Sequence, residues 1–512
     1  MRVTPFLIAI VMTASLAQAQ ERPARLRVIA INDLHGALTP WQDGARGLRG
    51  GAPAIASAIR AAEHECVAPR CVSVIVDGGD MFQGTLLSNL EYGRNVIEFY
   101  HMLGVSAAAL GNHEFDWTID TLRARMRDAH FAILGANVRN PDGSDVDWIR
   151  DDTIVERGGL KIGIIGLSTT DTPTTTMPSN VTSLRFAPLA PAVHEHAAAL
   201  KRRGADVVIV TGHIGSRCDT SVSPPRCTGD AIDLARDVAN DPVDVIVAGH
   251  SHQLVNTSVG DIPVVQALSG GRAIAIVDIP IGPNGPVRAA NKRAVIAVVT
   301  DSIKPDAEVA AWLAKKESAL APLINRRIGT IAGAPGTVYR PDSGTSQLVA
   351  EAYRAAGHAD VGIANNGGVR RPIAAGVLTY GAAFDVLPFQ NHLIRLTMPA
   401  QSFRAYAEQF VNGRNPGVHI AGLRVTFDRA RPEGSRITSV TRADGSAIAD
   451  GVMLTVVINN FMEEDGDGMG PPKDALGRMD LGIDLDLFVQ YLLSFGPAAI
   501  HPPVESNLVA AR

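Results

Sequence analysis

The chain has 512 residues, 46% of them hydrophobic, and a formal net charge of −5. That length exceeds the usual size of one domain, so we predict two domains with sizeable cores. The charge is spread along the chain without a long basic run. This distribution argues against binding of a nucleic-acid polymer through its phosphate backbone.

The N-terminus has the pattern of an export signal. Arg2 precedes a mostly apolar stretch from Phe6 to Ala17, and Ala17-Gln18-Ala19 supplies a small-x-small cleavage site. We therefore predict a cleaved signal peptide over residues 1–19 and a periplasmic or secreted protein. An uncleaved membrane anchor is the alternative, but a spanning helix needs about 20 apolar residues. No stretch reaches that length, so we expect no membrane anchor.

Four cysteines lie in two close pairs, Cys66 with Cys71 and Cys218 with Cys227. In an exported chain they predict two short-loop disulfides. Three pairings are possible, and the sequence does not choose between them. Reduced buried cysteines are one alternative. A structural zinc site is disfavoured, because neither pair has C-x-x-C spacing.

Short apolar runs alternate with helical stretches over the first 280 residues. This alternation predicts an α/β domain, which we place at residues 24–303. In chain order, the predicted strands are Leu26–Ile31, Val72–Val76, Ala107–Leu110, Ile162–Ile165, Val207–Val210, Val243–Ala248 and Ala273–Ile279. The predicted helices between them include Ala54–Glu63, Ile119–Asp128 and Pro191–Arg203.

A Gly/Pro-rich segment, Pro280 to Pro286, marks the edge of this domain. The helical stretch from Asp306 to Leu323 follows it, and we predict a connector helix over residues 304–325. The remaining residues, 326–512, carry a different set of signals and are numerous enough for a second, smaller domain.

Polar loops follow five of the apolar runs. Ligands of α/β sheets bind outside the carboxyl ends of the strands, so the five loops are expected to converge on one site. Each alone is as well explained by a turn, a cap or a histidine that orients a neighbour. Their joint occurrence favours a functional site. The loops are Asn32–Gly36 (NDLHG), Asp77–Asp80 (DGGD), Gly111–Asp116 (GNHEFD), Thr211–Gly215 (TGHIG) and Gly249–His252 (GHSH).

The residue types in these loops indicate a metal centre. Carboxylates, imidazoles and amide oxygens are ligands for divalent ions such as Zn, Mn or Co. Seven ligands exceed one tetrahedral site and predict two ions about 3.5–4 Å apart, with Asp80 as the shared carboxylate. Asp33 and His35 are expected to alternate in an extended segment and so to point the same way. The candidate ligands are Asp33, His35, Asp80, Asn112, His213, His250 and His252.

The order DxH, GGD, GNHEFD, GHxG and GHSH resembles the calcineurin-like metallophosphoesterase superfamily, and NDLHG with GNHEFD is similar to its secreted 5′-nucleotidase branch. The resemblance implies a β-sandwich flanked by helices and two divalent ions. At the position of His252 many members carry Asn or Gln instead. The implied ligands are Asp33, His35, Asp80 and His252 for one ion, and Asp80, Asn112, His213 and His250 for the other.

His113 and Asp116 remain in the GNHEFD loop without a metal to bind. The resemblance implies that His113 faces the leaving oxygen of the substrate and that Asp116 holds its ring in one tautomer. A hydroxide that bridges the metals would attack phosphorus from the opposite side. The alternative is that His113 is a structural hydrogen-bonding residue.

The C-terminal half contains three unusual stretches: NNGGVRR (365–371), LPFQN (387–391) and NNFMEEDGDGM (459–469). Arg370 offers a bidentate fork for phosphate or hydroxyl groups. Phe389 and Phe461 stand in polar, loop-like surroundings, although most phenylalanines are core residues. The acidic loop lacks the remaining ligands of an EF-hand.

These stretches resemble the C-terminal nucleotidase domain of the same family, which implies a smaller α/β nucleotide-binding domain. Two aromatic rings there sandwich the base, and an aspartate binds the ribose hydroxyls. A further arginine before DSGTSQL would correspond to Arg340. The implied substrate-binding residues are Asn365, Arg370, Phe389, Asn391, Phe461 and Asp467.

We therefore expect an exported two-metal phosphohydrolase that cleaves nucleoside 5′-monophosphates to nucleoside and phosphate. Its partner would be a small nucleotide, and the sequence leaves the oligomeric state open. Two enzymatic alternatives are a 2′,3′-cyclic-nucleotide phosphodiesterase with 3′-nucleotidase activity and a sulfur-ester hydrolase of thiosulfate oxidation. A non-catalytic binding protein is disfavoured because no ligand position is lost.

Overall fold

The structure is a computed structural model. It describes residues 22–42, 47–333, 343–413, 417–503 and 505–511. The predicted signal peptide and Arg340 lie outside these residues. Among the described helices, none is both long enough and apolar enough to cross a membrane.

The α-helices are numbered in chain order. Several begin at a side-chain cap predicted by helix chemistry: Asp306, for example, accepts hydrogen bonds from the backbone N–H groups of Glu308 and Val309 at the start of the eighth helix. The helices are α1 Ala52–His64, α2 Leu86–Asn89, α3 Arg94–Leu103, α4 Ile119–Asp128, α5 Thr172–Thr175, α6 Leu189–Arg202, α7 Asp230–Asp237, α8 Ala307–Ile324, α9 Gly344–Ala356, α10 Tyr380–Val386, α11 Ala400–Gln409, α12 Asn460–Glu463 and α13 Asp484–Leu493.

The strands are mostly short and rich in Val, Ile and Ala. They are β1 Arg25–Ile31, β2 Trp41–Gln42, β3 Leu48–Arg49, β4 Cys71–Asp77, β5 Ala107–Ala109, β6 Ala132–Leu134, β7 Val138–Arg139, β8 Asp152–Arg157, β9 Leu160–Leu167, β10 Arg185–Phe186, β11 Val207–Gly212, β12 Arg217–Asp219, β13 Arg226–Thr228, β14 Val245–Val247, β15 Leu254–Val259, β16 Ile262–Ala267, β17 Ala273–Gly282, β18 Gly285–Pro286, β19 Lys292–Ala297, β20 Arg327–Ile331, β21 Val361–Asn365, β22 Gly376–Thr379, β23 His392–Pro399, β24 Val418–Ala421, β25 Leu423–Phe427, β26 Ile437–Arg442, β27 Met453–Asn459, β28 Leu476–Ile483 and β29 Leu508–Ala510.

The first domain is a sandwich of two sheets. One sheet has the order β18-β17-β1-β4-β5-β6, with β19 also paired to β17, and the other has the order β15-β16-β14-β11-β9-β8. Apolar side chains from both sheets, such as Val28, Val76, Ile164 and Val247, form the core between them. Helices cover the outer faces, with α1 and α3 against the first sheet and α6 and α7 against the second.

The parallel pairing in these sheets gathers the five predicted loops at one end of the sandwich. β1, β4 and β5 are neighbours and run parallel, as do β9, β11 and β14 in the other sheet. The carboxyl ends of these strands therefore open on the same side, where ligand sites of α/β sheets form.

The second domain is built around a five-stranded sheet, β24-β21-β27-β23-β28, with a three-stranded sheet β26-β25-β29 beside it. Its two hydrophobic clusters lie on opposite sides of the larger sheet, one with α9 and α13 and the other with α11. The mixed α/β fold, with a sandwich of two sheets flanked by helices followed by a smaller α/β domain, confirms the predicted fold class.

Helix α8 joins the two cores. Val309 and Leu313 are buried in a cluster of the first domain, and Trp312 stacks on Phe99 with ring centroids 6.3 Å apart. Ile324, at the end of the helix, packs against the core of the second domain. Side chains of this helix therefore pack against the cores of both domains.

Each cysteine forms a disulfide with the cysteine nearest to it in the chain. Disulfides join Cys66 to Cys71 and Cys218 to Cys227, which confirms the prediction of two short-loop disulfides. The second bridges the hairpin of β12 and β13, where the two cysteines are direct partners in the register.

Candidate active site

Four of the predicted ligands form a compact group. Single ligand atoms of Asp33, His35, Asp80 and His252 all lie within 4.8 Å of one another. The Nε2 atoms of His35 and His252 are 2.9 Å apart, and Nε2 of His252 lies 3.4 Å from Asp33 Oδ1. Carboxylate and imidazole atoms at this spacing, with ligand atoms facing each other, suit a divalent cation between them.

A second group shares Asp80 with the first. Oδ2 of Asp80 lies 3.0 Å from His213 Nε2 and 3.7 Å from His35 Nε2, so one carboxylate oxygen faces both groups. Nδ1 of His250 lies 3.2 Å from both Asn112 Oδ1 and His213 Nε2. The structure thus brings all seven predicted ligands into two adjoining sets.

The backbone of these residues departs from the expected geometry. The prediction of an extended Asp33-Leu34-His35 segment is wrong, because Asp33 and His35 both have φ of 50°, in the left-handed region. Asp80, His250 and His252 share this region, with φ of 56°, 70° and 55°. Each non-glycine residue held there costs on the order of 1–2 kcal/mol. Such strain concentrates at functional sites, and here successive tight turns aim the ligands inward.

Backbone carbonyls orient two of the imidazoles. Nδ1 of His35 lies 2.9 Å from the carbonyl oxygen of Gln83, and Nδ1 of His213 lies 2.9 Å from that of Gly78. A carbonyl only accepts, so each Nδ1 carries a proton and each Nε2 faces the cluster. This arrangement is the usual one for a metal-binding histidine.

Burial and the carboxylates set the charge of the cluster. Burial, followed by the guanidinium of Arg370, lowers the pKa of His35 well below its usual range, so its imidazole is neutral. Burial opposes a charge on His213 too, but Asp80 outweighs it and raises the pKa of His213 to about 10. The buried carboxylates therefore attract positive charge, which a divalent cation supplies in place of a proton.

Glu114 organises the loop around Asp80, and the sequence analysis gave it no role. Its carboxylate accepts hydrogen bonds from the backbone N–H groups of Asp80, Met81 and Gly111 at 2.8 to 2.9 Å. A Cβ on Gly111 would meet Asp80 Oδ1 at 2.1 Å, so only glycine fits between the two loops. The sequence signal that could have identified Glu114 is a carboxylate in a motif flanked by apolar residues. A carboxylate buried in such surroundings needs several hydrogen-bond donors.

His113 and Asp116 form a hydrogen-bonded pair beside the cluster. Nδ1 of His113 donates to Asp116 Oδ2 at 2.6 Å, and Thr176 Oγ1 donates to Asp116 Oδ1 at 2.8 Å. Burial alone would lower the pKa of His113, but Asp116 and Asp80 outweigh burial and raise it. The ring can therefore present a proton at Nε2. Sequence reasoning missed Thr176, which lies 60 residues from Asp116 in the chain.

Arg370 and Phe389 of the second domain reach the cluster. Arg370 Nη2 lies 3.3 Å from His35 Nε2. The Phe389 ring stacks on His113 with centroids 5.2 Å apart and an interplanar angle of 23°, and the Arg370 guanidinium lies 5.5 Å from the Phe389 centroid. Both predicted residues thus stand at the centre of the site rather than at its periphery.

The other predicted substrate-binding residues lie further along the same wall. Asn365 donates to Asp467 Oδ2 at 3.0 Å and accepts from Asn459 at 3.0 Å. Phe461 is half-buried and packs partly against the domain core. Among the ring contacts of the described residues, none joins Phe389 to Phe461.

A cleft of about 780 Å³ runs between the two domains and exposes these groups. Asp33, His35 and His213 lie buried beneath its floor. Thr175, Thr176 and Met177 complete the wall on the first domain, a role that the sequence analysis did not predict. The predicted residues that line the cleft are Asp80, Asn112, His113, Asp116, His250, His252, Asn365, Arg370, Phe389, Asn391, Phe461 and Asp467.

Direct hydrogen bonds hold the domains on either side of the cleft. The side chains of Gln83 and Asn89 both donate to the carbonyl of Pro388, at 3.3 and 2.9 Å, directly before Phe389 in the chain. At the other end of the cleft, the backbone N–H of Ser179 donates to Glu464 at 3.0 Å. In this structure these contacts therefore hold Phe389 against the first domain.

Two family profiles match the chain. The profile of the calcineurin-like phosphoesterases matches residues 26–254, and that of the 5′-nucleotidase C-terminal domain matches residues 327–473. Together they span most of the chain, and each match falls within one of the two domains seen in the structure.

Curated relatives and solved structures agree with these matches. Endonuclease YhcR of Bacillus subtilis is 27% identical over 93% of this chain, which spans 40% of that relative's length. Snake venom 5′-nucleotidase of Gloydius brevicauda is 26% identical over 85% of this chain and 80% of its own length. The crystal structure of a 5′-nucleotidase precursor from Thermus thermophilus superposes with a TM-score of 0.81 at 25% identity, covering 95% of this chain and 99% of that one.

Both domains, their order and the clustered Asp and His side chains therefore lead to one assignment. The chain belongs to the 5′-nucleotidase family of hydrolases, in which a calcineurin-like phosphoesterase domain is joined to a 5′-nucleotidase C-terminal domain.

Proposed function

We propose that this protein is an exported, metal-dependent 5′-nucleotidase that hydrolyses nucleoside 5′-monophosphates to nucleoside and phosphate. One observation carries the proposal. A single cleft has the Asp80-centred cluster and the His113–Asp116 pair on one side, and Arg370, Phe461 and Asp467 on the other. A nucleotide has the matching polarity, with a phosphate at one end and a flat base at the other.

The residues present fit two divalent ions. Asp33, His35 and His252 would hold one ion, Asn112, His213 and His250 would hold the other, and Asp80 would serve both. Such ions supply Lewis-acid stabilisation of phosphoryl charge and activation of water. The oxygen and nitrogen donors are compatible with Zn, Mn or Co.

His113 is the group placed to assist departure of the nucleoside. Its Nδ1 is committed to Asp116, so Nε2 is the atom that can donate a proton to the leaving 5′-oxygen. Thr176 holds Asp116 from the other side and keeps the pair aligned. The guanidinium of Arg370, next to His35, is placed to bind phosphate oxygens through its planar fork.

Phe461 and Asp467 provide a separate binding area for the nucleoside. The face of Phe461 offers a stacking surface for a base, and the Asp467 carboxylate can accept hydrogen bonds from ribose hydroxyls. Stacking by Phe389 on the other face of the base requires that ring to leave His113, on which it rests in this structure. A change in domain orientation about α8 would allow that movement.

Export is supported by two features. The predicted signal pattern at residues 1–19 marks the chain for secretion. Two disulfides, Cys66–Cys71 and Cys218–Cys227, form and persist in oxidising compartments.

A phosphate-release panel tests the activity. Protein treated with a chelator is supplied with Mn, Zn or Co and assayed on 5′-, 3′- and 2′,3′-cyclic nucleotides. We expect activity to return with metal and to be highest on 5′-monophosphates. Turnover confined to cyclic and 3′-nucleotides, or absent from all of them, would contradict the proposal. A parallel assay with a thiosulfate ester tests the sulfur-ester alternative.

A further inference from the structure

A second cavity lies at the opposite end of the first sheet from the catalytic cleft. It is a groove of about 1260 Å³ beside β6, the edge strand of that sheet. Ser106 and Ala132 line it at the amino ends of β5 and β6, whereas His113 follows the carboxyl end of β5. None of the residues that line this groove lines the catalytic cleft.

The groove is strongly basic. Arg123, Arg127 and Arg150 line it, and its lining contains no Asp or Glu. Within the described part of the chain, these three guanidiniums take part in no ion pair. Arg157 stands at the rim and donates to Ser106 Oγ at 3.2 Å. Concave basic surfaces concentrate their field and attract anions.

One of the guanidiniums is held in place by an aromatic ring. The Arg123 guanidinium lies 5.7 Å from the centroid of Trp148, which also lines the groove. This cation–π contact limits the motion of the side chain without neutralising its charge. A guanidinium fixed in this way keeps its donors free for a bidentate contact with an oxyanion.

Helix chemistry explains only part of this charge. Arg127 lies in the last turn of α4, where the helix dipole favours a cation. Arg123 lies one turn earlier on the same face, where a like charge four residues away is unfavourable. Arg150 comes from another segment and adds a third cation. A bound anion would remove the repulsion that the fold leaves in place.

We propose that this groove is a second anion site that binds a ligand carrying two or more neighbouring phosphate groups. Arg123 and Arg127 leave the helix about 6 Å apart along its axis, and Arg150 stands on a separate segment. Each guanidinium fork can bind one phosphate group through two hydrogen bonds, so three forks lining one groove suit a chain of linked phosphates. The site is independent of the catalytic centre and takes either a nucleoside polyphosphate or inorganic polyphosphate.

Calorimetric titration of the full chain with sodium tripolyphosphate tests the site. The groove variant is Arg123→Gln/Arg150→Gln, and the matched control is Arg202→Gln/Arg226→Gln, which changes two exposed arginines elsewhere on the first domain. We expect the groove variant to lose one bound tripolyphosphate per chain, or to bind it at least tenfold more weakly. The control should bind as the wild type does. Hydrolysis of AMP should be unchanged in both.

Two further measurements complete the test. Arg127→Gln alone should weaken the same binding event, and melting temperatures establish that each variant is folded. Titration with the β,γ-methylene analogue of ATP distinguishes a nucleoside polyphosphate from inorganic polyphosphate as the ligand. Tighter binding of the analogue than of tripolyphosphate indicates a nucleoside polyphosphate. Equal binding of the two indicates recognition of the phosphate chain alone. Identical stoichiometry and affinity in the wild type and in both folded groove variants would overturn the proposal.

Discussion

At the residue scale, Asp80 is the position on which the cluster depends most. Its carboxylate faces His213 and His35, and its other oxygen accepts a hydrogen bond from the backbone N–H of His113 at 3.0 Å. Asp80 therefore connects both ligand sets to the loop that carries the His113–Asp116 pair.

Asp80→Asn should abolish tight binding of both metal ions and nearly all turnover. An amide offers one neutral oxygen in place of a charged carboxylate, so neither set keeps its shared anion. Metal analysis after dialysis measures the effect, with the exposed Asp142→Asn as control. Two ions retained at wild-type affinity would show that Asp80 is not the shared ligand.

His113→Ala should keep both metals and lower kcat by about 10²–10⁴-fold, the usual contribution of a general acid or base. The loss should be smaller for a nitrophenyl phosphate than for AMP, because a phenolate leaves without a proton. Steady-state kinetics on both substrates gives the comparison. Equal losses on the two would instead indicate that His113 supports the Asp80 loop structurally.

At the element scale, the loop after β27 combines structural and binding functions. Phe461 is half-buried in α12, and the short turn that follows presses Gly466 against it. A Cβ on Gly466 would approach three atoms of the Phe461 ring at 2.5 Å. The turn therefore fixes the Phe461 ring at the edge of the cleft. Asp467 directly follows Gly466 in the same turn.

Phe461→Ala should raise KM for AMP by roughly tenfold or more, since base stacking is worth ~1–3 kcal/mol and 1.4 kcal/mol is one decade. A small phosphate ester without a base should be hydrolysed almost as before. Because the ring is half-buried, the stability cost should stay below the about 3–5 kcal/mol of a core Phe. Equal losses on both substrates with a collapsed melting temperature would assign the ring to the core.

The start of α13 contains a buried carboxyl whose ionisation opposes folding. Asp484 accepts hydrogen bonds from the Leu485 backbone N–H at 2.7 Å and from the Tyr353 hydroxyl at 3.2 Å. Burial nevertheless raises the pKa of Asp484 from 3.8 to about 7. The folded chain thus holds this proton more tightly than the unfolded chain does, and the associated stability is lost as the pH rises from about 4 through 7.

Asp484→Asn should remove this pH dependence. The variant should be more stable than the wild type at pH 8, where the buried carboxylate is charged, and the difference should shrink or reverse at pH 5. The rise in the pKa of Asp484 from 3.8 to about 7 corresponds to roughly 4 kcal/mol of stability as an upper bound. Urea unfolding at the two pH values measures it. A constant difference between the proteins across this range would contradict the assignment.

At the scale of the whole molecule, two separately packed domains share one cleft. The three hydrophobic clusters of the first domain are formed by residues 26–320, including part of α8. The polar contacts to Pro388 and Glu464 hold the second domain over the metal ligands. The first domain therefore supplies the metal cluster, and the second domain supplies the proposed nucleoside contacts.

A chain that ends at Asn325 should therefore fold, bind metal and hydrolyse a nitrophenyl phosphate. It should lose the preference for AMP over that ester, because Phe461 and Asp467, the proposed nucleoside contacts, are removed. The expected rise in KM for AMP is about tenfold or more, at ~1.4 kcal/mol per decade. Metal content, melting temperature and both KM values are the measurements. A truncated chain that keeps the full-length KM for AMP would show that the second domain does not bind the nucleoside.

The sequence by itself predicted an α/β fold class, two disulfides within short loops and the set of seven candidate ligands, but it did not choose among the possible cysteine pairings. These features are local, because an apolar run followed by Asp, Asn or His marks a strand end and its loop within a few residues. The family resemblance added the substrate-binding positions, since no local pattern distinguishes Phe389 and Phe461 from core residues.

Only the tertiary structure decided how these residues meet. The left-handed backbone of Asp33 and His35 results from the packing of their loop against that of Asp80, with which it shares backbone hydrogen bonds. The contacts of Glu114, the Thr176–Asp116 hydrogen bond and the stacking of Phe389 on His113 join residues up to 276 positions apart. The basic groove likewise combines α4 with a separate segment that carries Trp148 and Arg150. Such contacts arise from the packing of whole domains, which no short stretch of sequence encodes.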